Sequence, residues 1–358
     1  MLSPTENVRR LRQYHPPLAG RAGLRLDFNE NTEGCSPRVL ARLRQISAED
    51  LGRYPERGPV EAVAADWLEL PPPQVLLTNG VDEAIHLLCE TYLQPGDEAL
   101  VVVPTFSMYE IYAAATGAHV VAIPAGEDFR FSTEEVLSRL SPRTRLLAIA
   151  NPNNPTGAVV ARAELLEIAN RASAAAVLVD EAYFDFYGES VIDQVGRLEN
   201  LFVARTFSKA YGMAGLRAGA LAGSAAQIPF VRRVASPYNV NAVALACLPQ
   251  ALSDGDYVRA YVDAVRRGRA RLESELRALG IPFWPSQANF VLAQFGPRRE
   301  AFLAAMKRRG VLVRDRHTDP GCAGCVRITV GTEEQTDRLL AALRTCLDEI
   351  ARAREVPA

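Results

Sequence analysis

The stretch LFVARTFSKAYGMAGLRAGALAG (201–223) places two apolar runs, LFVAR (201–205) and AGALAG (218–223), on either side of a glycine-rich segment. Short apolar runs of this kind are typical of strands buried inside a sheet. The segment between the runs carries two hydroxyls and two cations: Thr206, Ser208, Lys209 and Arg217. The stretch therefore predicts two buried strands joined by a loop that presents reactive side chains at a strand end.

The same alternation of strands and helices extends upstream from this stretch. Five more strands are predicted, at QVLLT (74–78), ALVVVP (99–104), HVVAIP (119–124), RLLAIA (145–150) and AVLVD (176–180). Helical patterns separate several of them, at 81–93, at about 105–116 and at 132–140, the last with a capping box of Ser132 and Glu135. Because helices flank the apolar strands, we expect an α/β fold with a mostly parallel seven-stranded sheet and helices on both faces.

A different pattern begins near residue 241. Long Arg- and Glu-rich helices are predicted at 256–279, 298–309 and 332–353, around short strands at 290–295, 311–315 and 326–330. We therefore predict three parts: an irregular N-terminal segment (1–30) that packs on the small domain, a large α/β domain (31–240) and a small C-terminal α+β domain (241–358).

Composition narrows the class of protein. The chain has 358 residues, 48% of them apolar and 23% charged, with a net charge of -2, which excludes a disordered chain and gives no basic surface for nucleic acid. The N-terminus lacks the apolar core of a signal peptide, and the longest uncharged run, 234–253, is interrupted by prolines and amides. We expect a cytoplasmic protein with neither nucleic-acid nor membrane partners.

Cysteines and histidines give no metal or triad pattern. Cys322 and Cys325 form one CxxC without a second pair at zinc spacing, and the four histidines are scattered without HExxH. We expect a structural or incidental role for the six cysteines, and no metal site.

Lysine is rare in this chain. Lys and Arg together number 40, yet only Lys209 and Lys307 are lysines, which leaves 38 arginines. Arg can supply a cation, whereas Schiff-base formation with a carbonyl requires an amine that can lose its proton. Lys307 lies in an amphipathic helical pattern and is expected to be a surface cation. Lys209 is the candidate nucleophile, although a count of two lysines could also arise by chance.

Unusual polar residues follow four of the predicted strands. Asn79-Gly80 follows the first, NPNNPTG (151–157) the fourth, Asp180 ends the fifth and Lys209 follows the sixth. Ligands of an open parallel sheet bind beyond the carboxyl ends of its strands, so these residues should meet at one edge. Taken alone, NPNNPTG is equally well explained as a tight turn.

Together these residues match the groups of pyridoxal 5'-phosphate. Lys209 would bind its aldehyde and Asp180 its ring nitrogen, while Asn154 and Tyr183 would donate to its phenolic oxygen. Its phosphate carries about −1.5 to −2 charges. The donors available to that phosphate are Arg217, Thr206, Ser208 and the backbone amides of Gly80, Val81 and Asp82 at a helix start.

The chain resembles the fold-type I pyridoxal-phosphate aminotransferases of class I/II, and is most similar to the histidinol-phosphate aminotransferase family. The matching motifs run from about residue 7 to about 343 and include NVRRLRQY (7–14), LDFNEN (26–31), RYPE (53–56), TNGVDEA (78–84), PTFSMY (104–109), NPNNPTG (151–157), VDEAYFDF (179–186), FSKAYGMAGLRAG (207–219), PYNVN (237–241), ANF (288–290), VLVRD (311–315) and VRITVGT (326–332). Departures from the family pattern, such as Thr32 after Asn29-Glu30-Asn31, remove no catalytic group but leave side-chain specificity open.

The resemblance implies roles for further residues. Phe106, or else Tyr109, would stack on the cofactor ring, and Tyr54 would reach the cofactor phosphate of the partner in a homodimer. Arg327 would bind the substrate anion. The remaining matches are substrate-side residues: Arg314 and Tyr14 at phosphate-binding positions, and Asn29 and Glu30 lining the substrate entrance.

The activity implied is ping-pong transamination between a small-molecule amino donor and a 2-oxo acid. The leading hypothesis is histidinol phosphate with 2-oxoglutarate, giving imidazole-acetol phosphate and glutamate in histidine biosynthesis. The alternatives are an aromatic or broad-specificity amino-acid aminotransferase, a threonine-phosphate decarboxylase, and a non-catalytic cofactor-binding module.

Overall fold

A computed structural model describes residues 2–11, 13–17 and 20–355. Residues 1, 12, 18, 19 and 356–358, which belong to the predicted N-terminal segment and small domain, lie outside the described residues. The helices are α1 (Glu6–Arg10), α2 (Pro37–Leu43), α3 (Ala48–Gly52), α4 (Gly58–Trp67), α5 (Val81–Tyr92), α6 (Met108–Ala115), α7 (Thr133–Ser138), α8 (Arg162–Arg171), α9 (Phe184–Tyr187), α10 (Ile228–Val234), α11 (Ala242–Leu252), α12 (Gly255–Ala278), α13 (Arg299–Arg308) and α14 (Glu333–Glu355). The strands are β1 (Leu24–Leu26), β2 (Val75–Thr78), β3 (Glu98–Val103), β4 (His119–Pro124), β5 (Thr144–Ala150), β6 (Ala176–Asp180), β7 (Leu201–Thr206), β8 (Gly219–Ala222), β9 (Phe283–Trp284), β10 (Phe290–Gln294), β11 (Val311–Asp315) and β12 (Cys325–Thr329).

The larger sheet has seven strands in the order β2-β8-β7-β6-β5-β3-β4. All its pairings are parallel except those of β8, which runs antiparallel to both β2 and β7. Its central strands are buried along almost their whole length, because apolar clusters cover both faces. The predicted α/β fold with a mostly parallel seven-stranded sheet is confirmed.

The smaller sheet has five strands in the order β1-β11-β12-β10-β9. Its first strand, Leu24–Leu26, pairs in parallel with Val311–Val313, so part of the N-terminal stretch that we expected to be irregular is a sheet edge. No strand could be predicted there from the sequence, because LRL is only three residues long. The boundaries at 31 and 241 stay a prediction.

Two local predictions need correction. Ser132 caps α7 by accepting from the Glu135 amide, but the Glu135 side chain binds Arg139 instead of completing the capping box. The uncharged run 234–253 contains α11, a helix that the sequence analysis did not identify. Among the described residues, no helix is both long enough and apolar enough to span a membrane.

Candidate active site

A cleft with about 650 Å³ of empty space lies at the carboxyl ends of the central strands. The strand ends bring the predicted residues there because β5, β6 and β7 are parallel neighbours. The cleft is lined by Val81, Asp82, Phe106, Tyr109, Ala150, Pro152, Asn154, Asp180, Ala182, Tyr183, Thr206, Ser208, Lys209 and Arg217. Ten of these fourteen residues were predicted from the sequence to contact the cofactor, and Tyr109 was the second choice for ring stacking.

Lys209 lies just beyond β7, with its amine facing this cleft. Nζ donates to the backbone carbonyl of Phe28 at 3.1 Å. Burial lowers the pKa of Lys209 to about 8, and the positive charge of Arg327 acts in the same direction. About a tenth of the side chain is therefore the neutral amine at pH 7, far more than for an ordinary lysine, and this is the form that attacks carbonyls.

Asp180 ends β6 and is almost fully buried. Its Oδ1 accepts from the Ala182 amide at 3.0 Å, and its Oδ2 accepts from the Tyr109 hydroxyl at 2.5 Å. Burial raises the pKa of Asp180 to about 6, while these two hydrogen bonds oppose that rise. The carboxylate is thus held ionised at neutral pH in an apolar surrounding, ready for a cationic partner. From the sequence, Tyr109 was predicted only as a second choice for ring stacking, and its bond to Asp180 was not predicted.

Tyr183 and Asn154 face the same cleft from two different loops. The Tyr183 hydroxyl accepts from Asn29 Nδ2 at 2.8 Å, so its own proton is available to a ligand in the cleft. Arg327 Nη1 donates to Asn154 Oδ1, which fixes the amide so that its NH₂ group is the free edge. Both predicted donors are therefore held in place by other side chains.

Arg217 forms the cationic end of the cleft. Its Nη2 donates to Asp82 Oδ2 at 2.9 Å, and its Nη1 lies 3.4 Å from Ser208 Oγ. Gly80, with a φ of 77°, precedes α5, and a Cβ there would lie 2.6 Å from Arg217 Nη2. Thr206 Oγ1 accepts from the Ser208 amide at 3.2 Å. The predicted phosphate-binding residues are thus together, with amides at the start of a 12-residue helix.

The two arginines predicted to bind the substrate lie on the small sheet. Arg314 on β11 and Arg327 on β12 are direct cross-strand partners. Arg327 is only 5% exposed, and its Nη2 donates to the Asp27 carbonyl at 2.8 Å. Burial lowers the pKa of Arg327 to about 10, and the charges of Arg316 and Arg314 add to the effect. Tyr14 joins this group, since Arg314 Nη2 lies 3.3 Å from its hydroxyl.

Two neighbours of these arginines, Arg316 and Asp319, were not predicted as site residues from the sequence. Arg316 forms an ion pair with Asp319 in the loop after β11. The sequence RDRHTD (314–319) could have indicated Arg316, because Arg316 follows Arg314 by two residues and so shares its face of the strand.

Asn29 occupies a place other than the one expected, whereas the place of Glu30 at the substrate entrance stays a prediction. Asn29 is 1% exposed and lies behind Tyr183, where its Oδ1 also accepts from Thr329, so it does not line an entrance. Glu30 accepts from Arg21 at 2.7 Å. The sequence could not separate these roles because the segment belongs to no predicted element.

The two aromatic candidates differ in location. Phe106 lines the cleft, edge-on to Tyr109 at 5.9 Å between ring centroids. Tyr54 is 77% exposed, stacks on Tyr238 at 4.1 Å and does not line the cleft of its own chain.

Pyridoxal 5'-phosphate fits the donor set of this cleft. A buried amine without a carboxylate partner among the described residues lies in the same cleft as a buried carboxylate, and the opposite end combines a guanidinium with helix-start amides. The side chains that match the cofactor groups are Lys209, Asp180, Asn154, Tyr183, Ser208 and Arg217. No group of three or more potential ligands for a metal ion occurs among the described residues.

Known proteins resemble this chain over most of its length. The family model for aminotransferase class I and II matches residues 21–343. The histidinol-phosphate aminotransferase of Roseiflexus castenholzii is 38% identical over 344 residues, or 91% of this chain and 92% of that protein. The one of Symbiobacterium thermophilum is 37% identical over 366 residues, covering 98% and 100%.

A solved structure shows the same fold. The histidinol-phosphate aminotransferase of Sinorhizobium meliloti, in complex with pyridoxal-5'-phosphate, superposes with a TM-score of 0.89 over 97% of this chain and 98% of that one, at 23% identity. Because the family model covers most of the chain and the relatives exceed 30% identity over nearly their full length, this chain belongs to the class I and II aminotransferase family.

Proposed function

We propose that this chain binds pyridoxal 5'-phosphate and transfers the amino group of histidinol phosphate to 2-oxoglutarate, a step of histidine biosynthesis. The observation that carries the proposal is the buried guanidinium of Arg327, which has no carboxylate partner among the described residues and lies opposite Arg314. Two facing cations fit an anionic substrate group. The names of the curated relatives support the same substrate.

The residues of the large domain would hold the cofactor. Lys209 would bind its aldehyde, Asp180 its ring nitrogen, and Arg217 and Ser208 its phosphate, with Phe106 against the ring. Thr206 and the amides of the helix start would complete the phosphate site. When bound, the cofactor supplies a ring that withdraws electrons from the carbon bearing the substrate amine.

The proton transfers fall to Lys209. Because its pKa is lowered to about 8, about half of its amine is neutral at pH 8, and this form would take the proton from the substrate carbon. Tyr183 holds its proton because burial raises the pKa of its hydroxyl, so it serves as a hydrogen-bond donor. Asp180 keeps its negative charge through the bonds from Tyr109 and Ala182.

Both substrates would use the same cations. Histidinol phosphate carries a phosphate ester where glutamate carries its α-carboxylate, so Arg327 and Arg314 would receive either anion in turn. Tyr14 adds a hydroxyl on the Arg314 side. This sharing supports a ping-pong sequence, in which the first product leaves before the second substrate enters.

We also propose a cytoplasmic homodimer in which Tyr54 serves the partner's site. The Tyr54 ring is 77% exposed and stacks on the half-exposed ring of Tyr238. Further exposed apolar side chains occur on the helices α2, α4 and α10: Leu40, Val63, Phe230 and Val234. Burying them against a second copy would be favourable.

The test is a substrate panel on the purified holoenzyme. We expect glutamate to form from 2-oxoglutarate with histidinol phosphate at a kcat/KM at least about tenfold above that with phenylalanine, since a phosphate adds charge-assisted bonds. Preference for phenylalanine would favour the aromatic enzyme instead. Release of carbon dioxide from threonine phosphate would identify the decarboxylase.

Mixed dimers test the shared site. In a heterodimer of a Lys209→Ala chain and a Tyr54→Ala chain, one site carries both substitutions and the other carries none. If Tyr54 serves the partner, mixing two impaired homodimers restores activity. Unchanged activity after proven subunit exchange would contradict the shared site.

A further inference from the structure

The small-sheet face that carries Arg314 and Arg327 continues beyond the end of β11. The backbone amide of Arg316 donates to the Cys325 carbonyl at 3.1 Å, so the ladder extends one residue past the strand. Side chains two residues apart on a strand share a face, which places Arg316 beside Arg314 and diagonal to Arg327. In agreement, the Arg316 charge is the strongest charge effect on Arg327.

Each of these three arginines has one buried N–H group without a hydrogen-bond partner among the described residues. The groups are Arg314 Nη1, Arg316 Nε and Arg327 Nε. Such donors are costly to leave unpaired, because an unsatisfied buried polar group loses its hydration without replacement. Three of them on one face of one sheet point to an absent acceptor with several oxygen atoms.

Asp319 holds Arg316 in this arrangement. The two side chains form an ion pair, and a turn closed by the Asp319 amide and the Arg316 carbonyl at 3.0 Å fixes their backbones. The pair is largely buried, with side-chain exposures of 12% for Arg316 and 21% for Asp319. Because Asp319 binds the outer Nη2 atom, Nε stays available to another acceptor.

The number of donors distinguishes the two kinds of anion. A carboxylate has two oxygen atoms, which Arg314 and Arg327 can satisfy, whereas a phosphate monoester has three terminal oxygens and about twice the charge. With Asp319 counted against Arg316, the three arginines and one carboxylate carry a net charge of about +2, which would balance the charge of a phosphate dianion.

We propose that Arg316, held by Asp319, is the residue that makes this site prefer a phosphate monoester over a carboxylate. The proposal rests on the proposed function, since it names how that site would select its phosphorylated substrate. Arg314 and Arg327 bind both anions, and Arg316 binds only the third oxygen of the phosphate. Its removal therefore impairs one ligand class and spares the other.

The test compares phenyl phosphate with benzoate, which share a ring and lack an amine, by calorimetric titration of the holoenzyme. In Arg316→Met we expect phenyl phosphate to bind about tenfold more weakly and benzoate to change by less than about twofold, as one charge-assisted bond is lost. Arg316→Lys keeps the charge without the fixed fork and should recover only part of the loss. Arg308→Met, a matched change at an exposed arginine of the same domain, should alter neither.

Three outcomes would overturn the proposal: equal losses for both ligands, no loss for either, or full recovery in Arg316→Lys. Benzoate binding shows in each variant that the site is folded. Turnover of histidinol phosphate by the unmodified enzyme is measured separately. If that turnover is absent while phenyl phosphate still binds through Arg316, the proposed function fails and this inference stands; the reverse pattern rejects only the inference.

Discussion

The cleft and the small-sheet arginines beside it differ in how their charges are satisfied. On the large-domain side, Arg217 is paired with Asp82 and the Asp180 carboxylate accepts two hydrogen bonds. On the small-sheet side, Arg327 is buried without a carboxylate partner among the described residues, and Arg314 and Arg316 each keep an unsatisfied buried N–H. The difference indicates a cofactor side that is stable by itself and a substrate side that is completed only by a bound anion.

Replacing Lys209 should have the largest effect, because the proposed function uses its amine for both the cofactor and the substrate. Lys209→Ala removes the amine that would bind the cofactor and move the proton, so we expect turnover to fall by about a thousandfold or more. Single-turnover absorbance measurements would give the rate. Substantial turnover in Lys209→Ala would contradict its role, whereas lost turnover with cofactor still bound would agree with it. Lys307→Ala, the matched change at the other lysine, should leave turnover unchanged.

Arg327→Met should impair the use of substrates and leave cofactor binding nearly unchanged. This change removes the buried fork that receives the anion, so we expect kcat/KM for both substrates to fall by about a hundredfold. Cofactor affinity, measured by titrating the apoenzyme, should change little. Because Asn154 Oδ1 loses its partner as well, Arg327→Lys serves as the comparison that keeps a donor near it. An equal loss of cofactor affinity would show that the two sides are not separable.

Gly80→Ala should weaken cofactor binding and leave the KM of the amino donor nearly unchanged. The added Cβ meets Arg217 Nη2 at 2.6 Å, in a backbone conformation with a φ of 77° that disfavours side chains. We expect cofactor affinity to fall about tenfold with little change in the KM of the amino donor. Gly96→Ala provides the control, since Gly96 has a φ of 96° and nothing within 4 Å of its added Cβ. An equal loss in both variants would assign the effect to backbone strain alone.

The smallest change is expected from Tyr109→Phe, which tests how the Asp180 charge is maintained. Loss of the hydroxyl removes a bond that lowers the pKa of Asp180, which burial has already raised to about 6. The carboxyl then takes up its proton at a higher pH, so the acid limb of cofactor uptake by the apoenzyme should move up by about half a unit to one unit. Tyr112→Phe, on the same helix, should leave it in place. An acid limb that moves down or stays fixed would contradict the role of Tyr109.

The lowered pKa of Lys209 predicts a second pH dependence, on the alkaline side, in apoenzyme stability and cofactor uptake. Because its folded pKa of about 8 lies below the ordinary 10.5, the folded apoenzyme binds fewer protons than the unfolded chain between these values. Stability of the apoenzyme contributed by this group should therefore increase as pH rises from 8 to 10.5, and covalent cofactor uptake should level off above about 8. Denaturant titrations of wild-type and Lys209→Met apoenzyme would check the sign.

The sequence by itself determined the large sheet and the polar residues that meet at its edge. Apolar strand periodicity gave the parallel sheet, and the strand ends gave Asp180, Asn154 and Lys209, because parallel neighbouring strands must deliver their carboxyl ends to one edge. The presence of one of only two lysines, Lys209, in the loop after β7 added the proposed chemistry. These are local signals, each contained within a few residues of the chain.

Only the tertiary structure decided the partners of these residues. The bond from Tyr109 to Asp180, the burial of Asn29 behind Tyr183 and the pairing of β1 with β11 each join segments 70 or more positions apart. The same holds for the face on which Arg316 joins Arg314 and Arg327, because it depends on the register between β11 and β12. Periodicity shows which residues are buried, but hydrogen-bond geometry between distant segments is fixed only when the sheets pack together.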